Sequence, residues 1–254
     1  MKAQGPASSA AAAGAVNLVT RMNDHTLKFF GEELAQLKAE VARMGGLVEA
    51  EVADAVAAVA DRDVARAQAV VARDQKIDAL QRDIEKKAIR MISLRQPVAQ
   101  DLRRTVGGMK MSLTLERTGD YAKNIAKRAL VITESEPVTP LTGSIERMGD
   151  LVTTRLKDVL DALAARDVER AVAVWMQDHE VDEHYESIFR ELLTYMMGDP
   201  RMITACAHLL FVAKNLERIG DHATNIAEIL HYEVTGIELG DDRPKTDALQ
   251  PHTS

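Results

Sequence analysis

Cysteine and aromatic residues are scarce in this chain of 254 residues. Cys206 is the one cysteine, which excludes a disulfide within the chain and a zinc site built from several thiolates. Phe, Trp and Tyr make up 4% of the residues, whereas hydrophobic residues reach 46%. Ala, Val and Leu supply most of that fraction, which favours closely packed helices over a β-sandwich or a β-barrel. The low cysteine content leads us to expect a reducing, cytoplasmic location.

Further absences limit the possible functions. No uninterrupted apolar run approaches about 18 residues, so the sequence predicts no transmembrane helix. The net charge is −7 with acidic and basic residues interspersed, so a nucleic-acid partner is not expected. No apolar–polar alternation typical of strands is sustained, so no β-sheet is predicted. The chain also lacks a Ser/His/Asp set and a Gly-rich phosphate-binding loop, and we predict that the protein is not an enzyme.

The chain contains an internal repeat. The segment ADRDVARAQAVVARDQKID at 60–78 matches AARDVERAVAVWMQDHEVD at 164–182, an offset of 104 residues. The offset has shrunk to 101 where Glu116 matches Glu217, which indicates short deletions between the copies. A period near one hundred residues is too long for a solenoid, so the repeat predicts two copies of one small domain.

Each copy is predicted to form three helices. These span 24–59, 63–94 and 98–132 in the first copy and 141–164, 167–196 and 200–234 in the second. Asp63 and Asp167 mark helix starts, because a carboxylate can accept hydrogen bonds from the free N–H groups of a first turn. Asp199 followed by Pro200 marks a third start, and Pro97 follows the end of the second helix.

The predicted fold class is therefore all-α, with two tandem, pseudo-symmetric three-helix bundles built from six long helices. The predicted domain boundaries are a disordered tail at 1–22, a first bundle at 23–133, a linker at 134–142, a second bundle at 143–234 and a disordered tail at 235–254. The linker is the long polar, proline-containing stretch in the interior of the chain. The last tail is polar and punctuated by Gly and Pro.

Oxygen-bearing side chains recur one helical turn apart beside the apolar seams. The third and sixth predicted helices each carry a Glu, an Asp and an Asn at four-residue spacing, and the second and fifth each carry an Asp pair. The residues are Asp74, Asp78, Glu116, Asp120 and Asn124 in the first copy and Asp178, Asp182, Glu217, Asp221 and Asn225 in the second. Residues four apart share a helix face, so each bundle should gather four carboxylates and one amide oxygen.

Such a set of carboxylates needs compensation, because like charges raise each other's pKa and loss of solvent raises it further. All-oxygen donors without Cys or a matched His favour a hard cation such as Mg²⁺, Mn²⁺, Fe or Ca²⁺. Gly119 and Gly220, inside the two patterns, leave room for a neighbouring helix or a metal-bound water. Two alternatives remain open: a carboxylate-bridged metalloenzyme, and a metal-free helical scaffold whose acids are solvated or screened by lysine and arginine.

These motifs and the segments around them resemble the PhoU family, the accessory regulators of bacterial phosphate transport. The resemblance is carried by RQPVAQDLRR and LERTGDYAKNIAKRA in the first copy and by DPRMITACAHLLFVAKNLERIGDHATNIAEI in the second. It covers nearly all of the chain from about 24 to 233 and implies two three-helix bundles with twofold pseudo-symmetry. It also implies metal ions (Mg, Mn, Fe or Zn) at the Glu/Asp-x-x-x-Asp motifs, hence at the ten residues named above.

The resemblance further implies a function. Members of the family restrain the phosphate-starvation response and limit phosphate uptake when phosphate is plentiful. They are thought to couple the ATP-binding subunit of the phosphate ABC transporter to a membrane sensor histidine kinase. For this chain the resemblance implies a cytoplasmic, non-enzymatic negative regulator, a homodimer that is peripheral to those membrane complexes.

Overall fold

The computed structural model of the chain describes residues 7–134 and 139–240. These residues form seven α-helices and one 3₁₀ turn, with no β-strand among them. The helices are α1 (Ala7–Ala60), α2 (Val64–Arg95), α3 (Ala99–Thr133), α4 (Thr139–Ala165), α5 (Val168–Met176), α6 (His179–Gly198) and α7 (Ile203–Thr235), and the 3₁₀ turn is Pro200–Met202. The all-α prediction is confirmed. None of these helices has a stretch that is both long and apolar enough to cross a membrane.

The helices form two three-helix bundles in tandem. In the first bundle α1, α2 and α3 pack against one another, and in the second α4 and α7 pack with the consecutive pair α5 and α6. The bundles also contact each other, α1 against α4 and α3 against α7. Because the first and third helices of each copy meet their own equivalents, the arrangement has the pseudo-symmetry that the repeat predicts.

The apolar seams predicted for the third and sixth helices lie in the core. On α3 and α7 the residues recur at steps of three and four, so they form one stripe along each helix. All of them are buried: Leu115, Thr118, Ala122, Ile125 and Ala129 on α3, and Leu216, Ile219, Ala223, Ile226 and Leu230 on α7. The acids of the two motifs therefore lie at the margin of a buried face.

Two glycines mark the crossing of α1 and α4. A Cβ built on Gly45 would lie 2.7 Å from Cδ2 of Leu160, and one built on Gly149 would overlap the side chain of Val56. Gly149 and Leu160 follow Gly45 and Val56 by 104 residues, so the two contacts are related by the repeat. The missing side chains allow the two helix backbones to approach closely at this crossing.

The pseudo-twofold axis passes between α3 and α7, near Tyr121 and His222. These residues are equivalent in the repeat, yet their rings stack on each other with centroids 5.4 Å apart and planes at 18°. Burial lowers the pKa of His222 to about 4, helped by the charges of Arg117 and Arg218. Equivalent residues touch only at a symmetry axis, so this stack locates it.

Helix starts lie where the capping residues predict them. Asp63 and Asp167 are N-caps, whose carboxylates accept hydrogen bonds from the backbone N–H groups of Arg66 at 2.9 Å and Arg170 at 3.0 Å. Asp199 caps the 3₁₀ turn in the same way. The side-chain acceptors replace hydrogen bonds that a first helical turn cannot make within the helix.

Two helices extend beyond the predicted boundaries. Residues 7–22, predicted to be disordered, are helical, because α1 begins at Ala7 and runs through an alanine-rich segment of high helix propensity. The last residues of the predicted linker, 139–142, belong to α4. The remainder of that linker from 135 to 138, and the predicted tail segments 1–6 and 241–254, lie outside the described residues.

The helix predicted at 167–196 is divided into α5 and α6. The break falls at Gln177, whose backbone departs from helical geometry. Its carbonyl accepts a hydrogen bond from the Arg155 guanidinium of α4. The same carbonyl accepts from the backbone N–H of Glu180 at 3.3 Å, a contact three residues on in place of the four of an unbroken α-helix.

Candidate metal centres

In the first bundle the acids of α2 and α3 face one another across a lysine. The Lys123 ammonium donates to Asp74 Oδ2 at 2.7 Å and to Asp120 Oδ1 at 2.9 Å. Hydrogen bonding to Asp74 raises the pKa of Lys123, so the ammonium stays charged. Asp74 is 2% exposed, and its Oδ1 has no hydrogen-bond partner. The lysine therefore satisfies only half of the buried carboxylate.

Glu116 and Asp78 belong to the same cluster. Loss of solvent raises the pKa of Glu116, and the negative charges of Asp120, Asp78 and Asp74 raise it further. Repulsion of this kind requires the carboxylates to be near neighbours. Asn124, the last member of the predicted set, is exposed. The structure thus places the four predicted acids of the first bundle on two neighbouring helices, α2 and α3, within range of one another's charge.

The second bundle repeats the cluster with Asp178, Asp182, Glu217 and Asp221. Burial raises the pKa of Asp221 to about 6, and the charge of Glu217 is the next largest cause. Partial desolvation, followed by the charge of Asp178, raises the pKa of Asp182. Lys214 donates to Glu217 Oε1 at 2.7 Å, while Glu217 Oε2 is buried without a partner. Each cluster therefore contains one lysine and at least one unsatisfied carboxylate oxygen.

The second amide of the predicted set has a different environment from the first. Asn225 is half-buried, and its Nδ2 lies 3.3 Å from His222 Nδ1 on the same helix. This contact directs the amide nitrogen towards the α3–α7 junction. Asn124 and Asn225 therefore do not form a symmetric pair of donors.

Gly119 and Gly220 admit the neighbouring helix rather than a water. A Cβ built on Gly119 would lie 3.2 Å from Ile77 Cδ1, and one on Gly220 would lie 3.2 Å from Val181 Cγ1. Ile77 belongs to α2 and Val181 to α6, the helices that carry the Asp pairs. The glycines thus let these helices pack closely, which brings the Asp pairs next to the acids of α3 and α7.

Glu51 on α1 is a further member of the first cluster that the sequence analysis missed. Its side chain is 0% exposed, and neither carboxylate oxygen has a hydrogen-bond partner. Burial raises the pKa of Glu51 to about 8, and the charge of Asp74 adds to the shift. Its helical spacing in the sequence indicates this burial. Glu51 follows Val48 by three residues and precedes Ala55 by four, and both of these are wholly buried. An acid within such an apolar stripe is unusual.

As the side chains stand, no three His, Cys, Asp or Glu residues in the described part of the chain are placed to hold one metal ion. The Lys123 ammonium lies between Asp74 and Asp120 instead. The donor chemistry nevertheless fits a hard cation, because the clusters offer carboxylate oxygens and several of these are buried without a partner. A buried carboxylate that lacks hydrogen bonds or a counter-charge is destabilising, and a divalent cation would supply that charge.

Comparison with known families and proteins gives a consistent result over both bundles. The profile of the PhoU domain matches residues 41–129 and 145–230. A phosphate-specific transport system accessory protein PhoU homolog from Caulobacter vibrioides (strain NA1000 / CB15N) is 65% identical over 228 residues, which cover 90% of this chain and 99% of the relative. A protein of the same description from Rhizobium meliloti (strain 1021) is 48% identical, with 88% and 94% covered.

Two solved structures share the fold. The crystal structure of PhoU from Pseudomonas aeruginosa superposes with a TM-score of 0.80 at 39% identity, covering 82% of this chain and 100% of that one. The phosphate transport system regulatory protein PhoU from Streptococcus pneumoniae gives a TM-score of 0.76 at 29% identity, covering 83% and 99%. The likeness therefore extends over the two bundles and is not confined to the acidic motifs.

Proposed function

This chain belongs to the PhoU family, and on that premise we propose that it is an accessory protein of the phosphate transport system. In this role it restrains phosphate uptake and the phosphate-starvation response when phosphate is plentiful. The observation that carries the proposal is the 65% identity to the Caulobacter vibrioides PhoU homolog over 99% of that relative's length. The TM-score of 0.80 with the Pseudomonas aeruginosa PhoU supports it.

The proposal includes partners. We infer that the protein works in the cytoplasm as a homodimer, in contact with the ATP-binding subunit of the phosphate ABC transporter and with a sensor histidine kinase. Membership of the family supports this inference. Sedimentation of the purified chain tests the homodimer, and binding assays with the purified ATP-binding subunit and the kinase cytoplasmic region test the two contacts.

Deletion of the gene tests the regulatory role. Alkaline phosphatase activity should be high in phosphate-rich medium when the protein is absent, because the starvation response is then no longer restrained. A plasmid copy of the full chain should restore repression. Repressed alkaline phosphatase in the deletion strain would count against a negative regulator.

We further propose that the acidic clusters bind Mg, Mn, Fe or Zn ions. In the first bundle the donors are Asp74, Asp78, Glu116 and Asp120, with Asn124 as an additional oxygen donor. In the second bundle they are Asp178, Asp182, Glu217 and Asp221, with Asn225. A bound cation supplies the positive charge that the carboxylates otherwise draw from lysine. It would also link α2 to α3 and α6 to α7, because the donors come from both helices of each pair.

Elemental analysis of protein purified without chelator tests metal binding. We expect stoichiometric metal and a rise in Tm when Mn²⁺ is added to chelator-treated protein. Glu116→Gln with Asp120→Asn should reduce both effects, whereas Asp150→Asn, at an exposed acid on α4, should leave them unchanged. Absence of metal together with no thermal stabilisation by Mn²⁺, Fe²⁺ or Mg²⁺ would favour the metal-free scaffold.

We propose no catalytic role for these metals. The metal-loaded protein should therefore show no more phosphatase or oxygen-dependent turnover than the Glu217→Ala, Asp221→Ala variant. Turnover that is present in the wild type and lost in that variant would favour the metalloenzyme instead.

A further inference from the structure

An acid in the first copy, Glu51, and a base in the second, Arg155, occupy equivalent positions of the repeat. The offset of 104 residues that relates Met44 to Met148 also relates Glu51 to Arg155. Both side chains are buried, at 0% and 4% exposure, on the equivalent helices α1 and α4. The repeat thus keeps a buried ionisable side chain at this position, an acid in the first copy and a base in the second.

Arg155 has partners for its charge. Its guanidinium donates to the Gln177 carbonyl and, at 2.6 Å, to Glu180 Oε2. Gln177 directly precedes Asp178, a member of the second acidic cluster. The second bundle therefore carries a paired, positively charged side chain beside its acids.

Glu51 lacks the corresponding partner. The repeat equivalent of Glu180 is Lys76, which would complete a reversed ion pair. Lys76 is exposed, however, and neither carboxylate oxygen of Glu51 has a hydrogen-bond partner within the described structure. The reversed pair is therefore not formed, and the fully buried member is the one left unsatisfied.

The other cations near Glu51 are engaged elsewhere. Arg73 forms a salt bridge with Asp54 at 2.8 Å. Lys123 is bonded to Asp74 and Asp120. Glu51 thus lies beside a cluster that is already acidic, with no hydrogen bond to either base. A buried carboxylate in that environment is strongly destabilising unless a further positive charge is present.

We propose that Glu51 is an additional cation ligand, so that the first bundle binds a hard divalent cation more tightly than the second. The inference rests on the proposed metal binding of the acidic clusters. Counting Glu51, the first cluster has five carboxylates and one bonded lysine, whereas the second has four carboxylates and one bonded lysine. Affinity for hard divalent ions rises with the number of charged oxygen ligands and falls with local positive charge.

Entry of the cation requires Lys123 to leave its position between Asp74 and Asp120. The Lys123 side chain is 24% exposed, so its long aliphatic stem allows the ammonium to turn to solvent. Asp74 and Glu51 stay buried and supply oxygens from α2 and α1. A cation bound by Glu51 would therefore connect all three helices of the first bundle.

Titration of chelator-treated full-length protein with Mn²⁺, followed by calorimetry and by the spin resonance of free Mn²⁺, tests the inference. We expect two classes of sites in the wild type, with Kd values at least about tenfold apart. Glu51→Gln should weaken the tight class by about tenfold or more. Asp221→Asn should affect only the weak class, and Glu32→Gln, at an exposed acid on α1, should affect neither.

Thermal melting separates a lost ligand from a lost fold. Glu51→Gln keeps the side-chain shape and replaces a buried carboxyl group that has no hydrogen-bond partner, so without metal its Tm should stay close to that of the wild type. With saturating Mn²⁺ the variant should melt below the wild type, because it lacks part of the metal-dependent stabilisation. A variant that melts lower than the wild type without metal would assign Glu51 a structural role and overturn the inference.

The remaining outcomes distinguish the two proposals. Two equal classes of sites in the wild type, or a tight class unchanged by Glu51→Gln, would overturn the inequality of the bundles and leave metal binding intact. No Mn²⁺ binding by the wild type under any of these conditions would overturn metal binding itself, and with it the role of Glu51.

Discussion

At the scale of single residues, the repeat keeps the acids of the clusters and changes the bases. Lys123 and Lys214 each bond to a cluster carboxylate. Their repeat equivalents are Thr224 and Leu113, so neither lysine has a counterpart in the other copy. The carboxylates are thus the shared feature of the two bundles, and each bundle compensates them differently. This is the pattern expected if the acids serve a common ligand.

Replacement of Lys123 by methionine should destabilise the protein without metal. Lys123→Met leaves the buried carboxylate of Asp74 without its counter-charge, at a cost of about 3 kcal/mol. Urea denaturation in the presence of a chelator measures the loss. Under the proposed metal binding, added Mn²⁺ should restore stability beyond that of the equally treated wild type, because the cation would no longer compete with the ammonium.

Lys127→Met is the matched control, since Lys127 is exposed on the same helix one turn further on. Its stability should change by less than about 0.5 kcal/mol. Equal losses in the two variants would show that the effect of Lys123 is not due to the acidic cluster.

At the scale of helices, each copy ties its first interhelical turn to the end of its third helix through an arginine. Arg62 and Arg166 have left-handed backbones, with φ of 54° and 56°. Arg62 donates to the Thr133 carbonyl at 2.9 Å, and Arg166 lies 3.2 Å from a Glu233 oxygen. The capping aspartates follow directly in both copies. Local capping and one long-range contact therefore act together at each turn.

Loss of the first cap should destabilise α2 measurably. Asp63→Ala removes the acceptor for the Arg66 N–H group and should lower the free energy of unfolding by about 1 kcal/mol. Urea titration followed by circular dichroism measures this difference. Asp63→Asn, which retains a capping oxygen, should lose less than half as much, and an equal loss in both variants would point to charge rather than capping.

At the scale of the whole molecule, the two bundles are joined by reciprocal contacts across the pseudo-twofold axis. Gly45 faces Leu160 and Gly149 faces Val56 where α1 crosses α4. Between α3 and α7, Arg128 packs over the Phe211 ring at 4.5 Å. Each glycine thus leaves space for an aliphatic side chain of the other helix, and this packing sets the distance between the two bundles.

Filling the glycine position at this crossing should weaken the association of the bundles. The methyl group of Gly149→Ala would overlap Val56, and we expect a net loss of about 1–2 kcal/mol after the higher helix propensity of alanine is counted. Calorimetric melting measures the loss, and Val56→Ala in the same chain should recover part of it by removing the overlap.

Gly46→Ala provides the matched control. A Cβ at Gly46, adjacent to the crossing on α1, would meet nothing within 4 Å. This variant should be up to about 1 kcal/mol more stable than the wild type. Stabilisation of similar size by Gly149→Ala would contradict close packing at the crossing.

The contact region between the two bundles also contains a buried acid outside the acidic clusters. Glu233 of α7 is 5% exposed and lies 3.8 Å from the Lys38 ammonium and 3.2 Å from Arg166. Burial raises the pKa of Glu233 above its ordinary value of 4.5, although both bases oppose the shift. The folded state therefore binds this proton more readily than the unfolded state does.

The stability of this contact region should consequently depend on pH. A raised carboxyl pKa contributes stability at low pH, which is lost as the pH rises from about 4.5 through the folded-state value. Relative to the wild type, Glu233→Gln should thus gain in Tm as the pH rises above about 4.5. Glu146→Gln, at an exposed acid on α4, should show no such gain, and a flat Tm difference for Glu233→Gln would contradict the shift.

Much of this architecture was predictable, because it depends on neighbours in the chain. Caps such as Asp63 and Asp167 act within one turn, and helical spacing alone places Glu116 and Asp120 on one face. The division of the fifth predicted helix was not predictable, because it depends on Arg155 reaching Gln177 from another helix. The sequence also did not predict which lysine pairs with Asp74, because Lys123 reaches it from another helix.

The sequence by itself determined the helical class, the duplication and the spacing of the acids, since each is written in residues that are close along the chain. Only the tertiary structure decided which charges meet. It placed Lys123 against Asp74 and left Glu51 buried beside them without a partner. Contacts between residues far apart in sequence depend on how whole helices pack, and the spacing within one helix does not specify that packing.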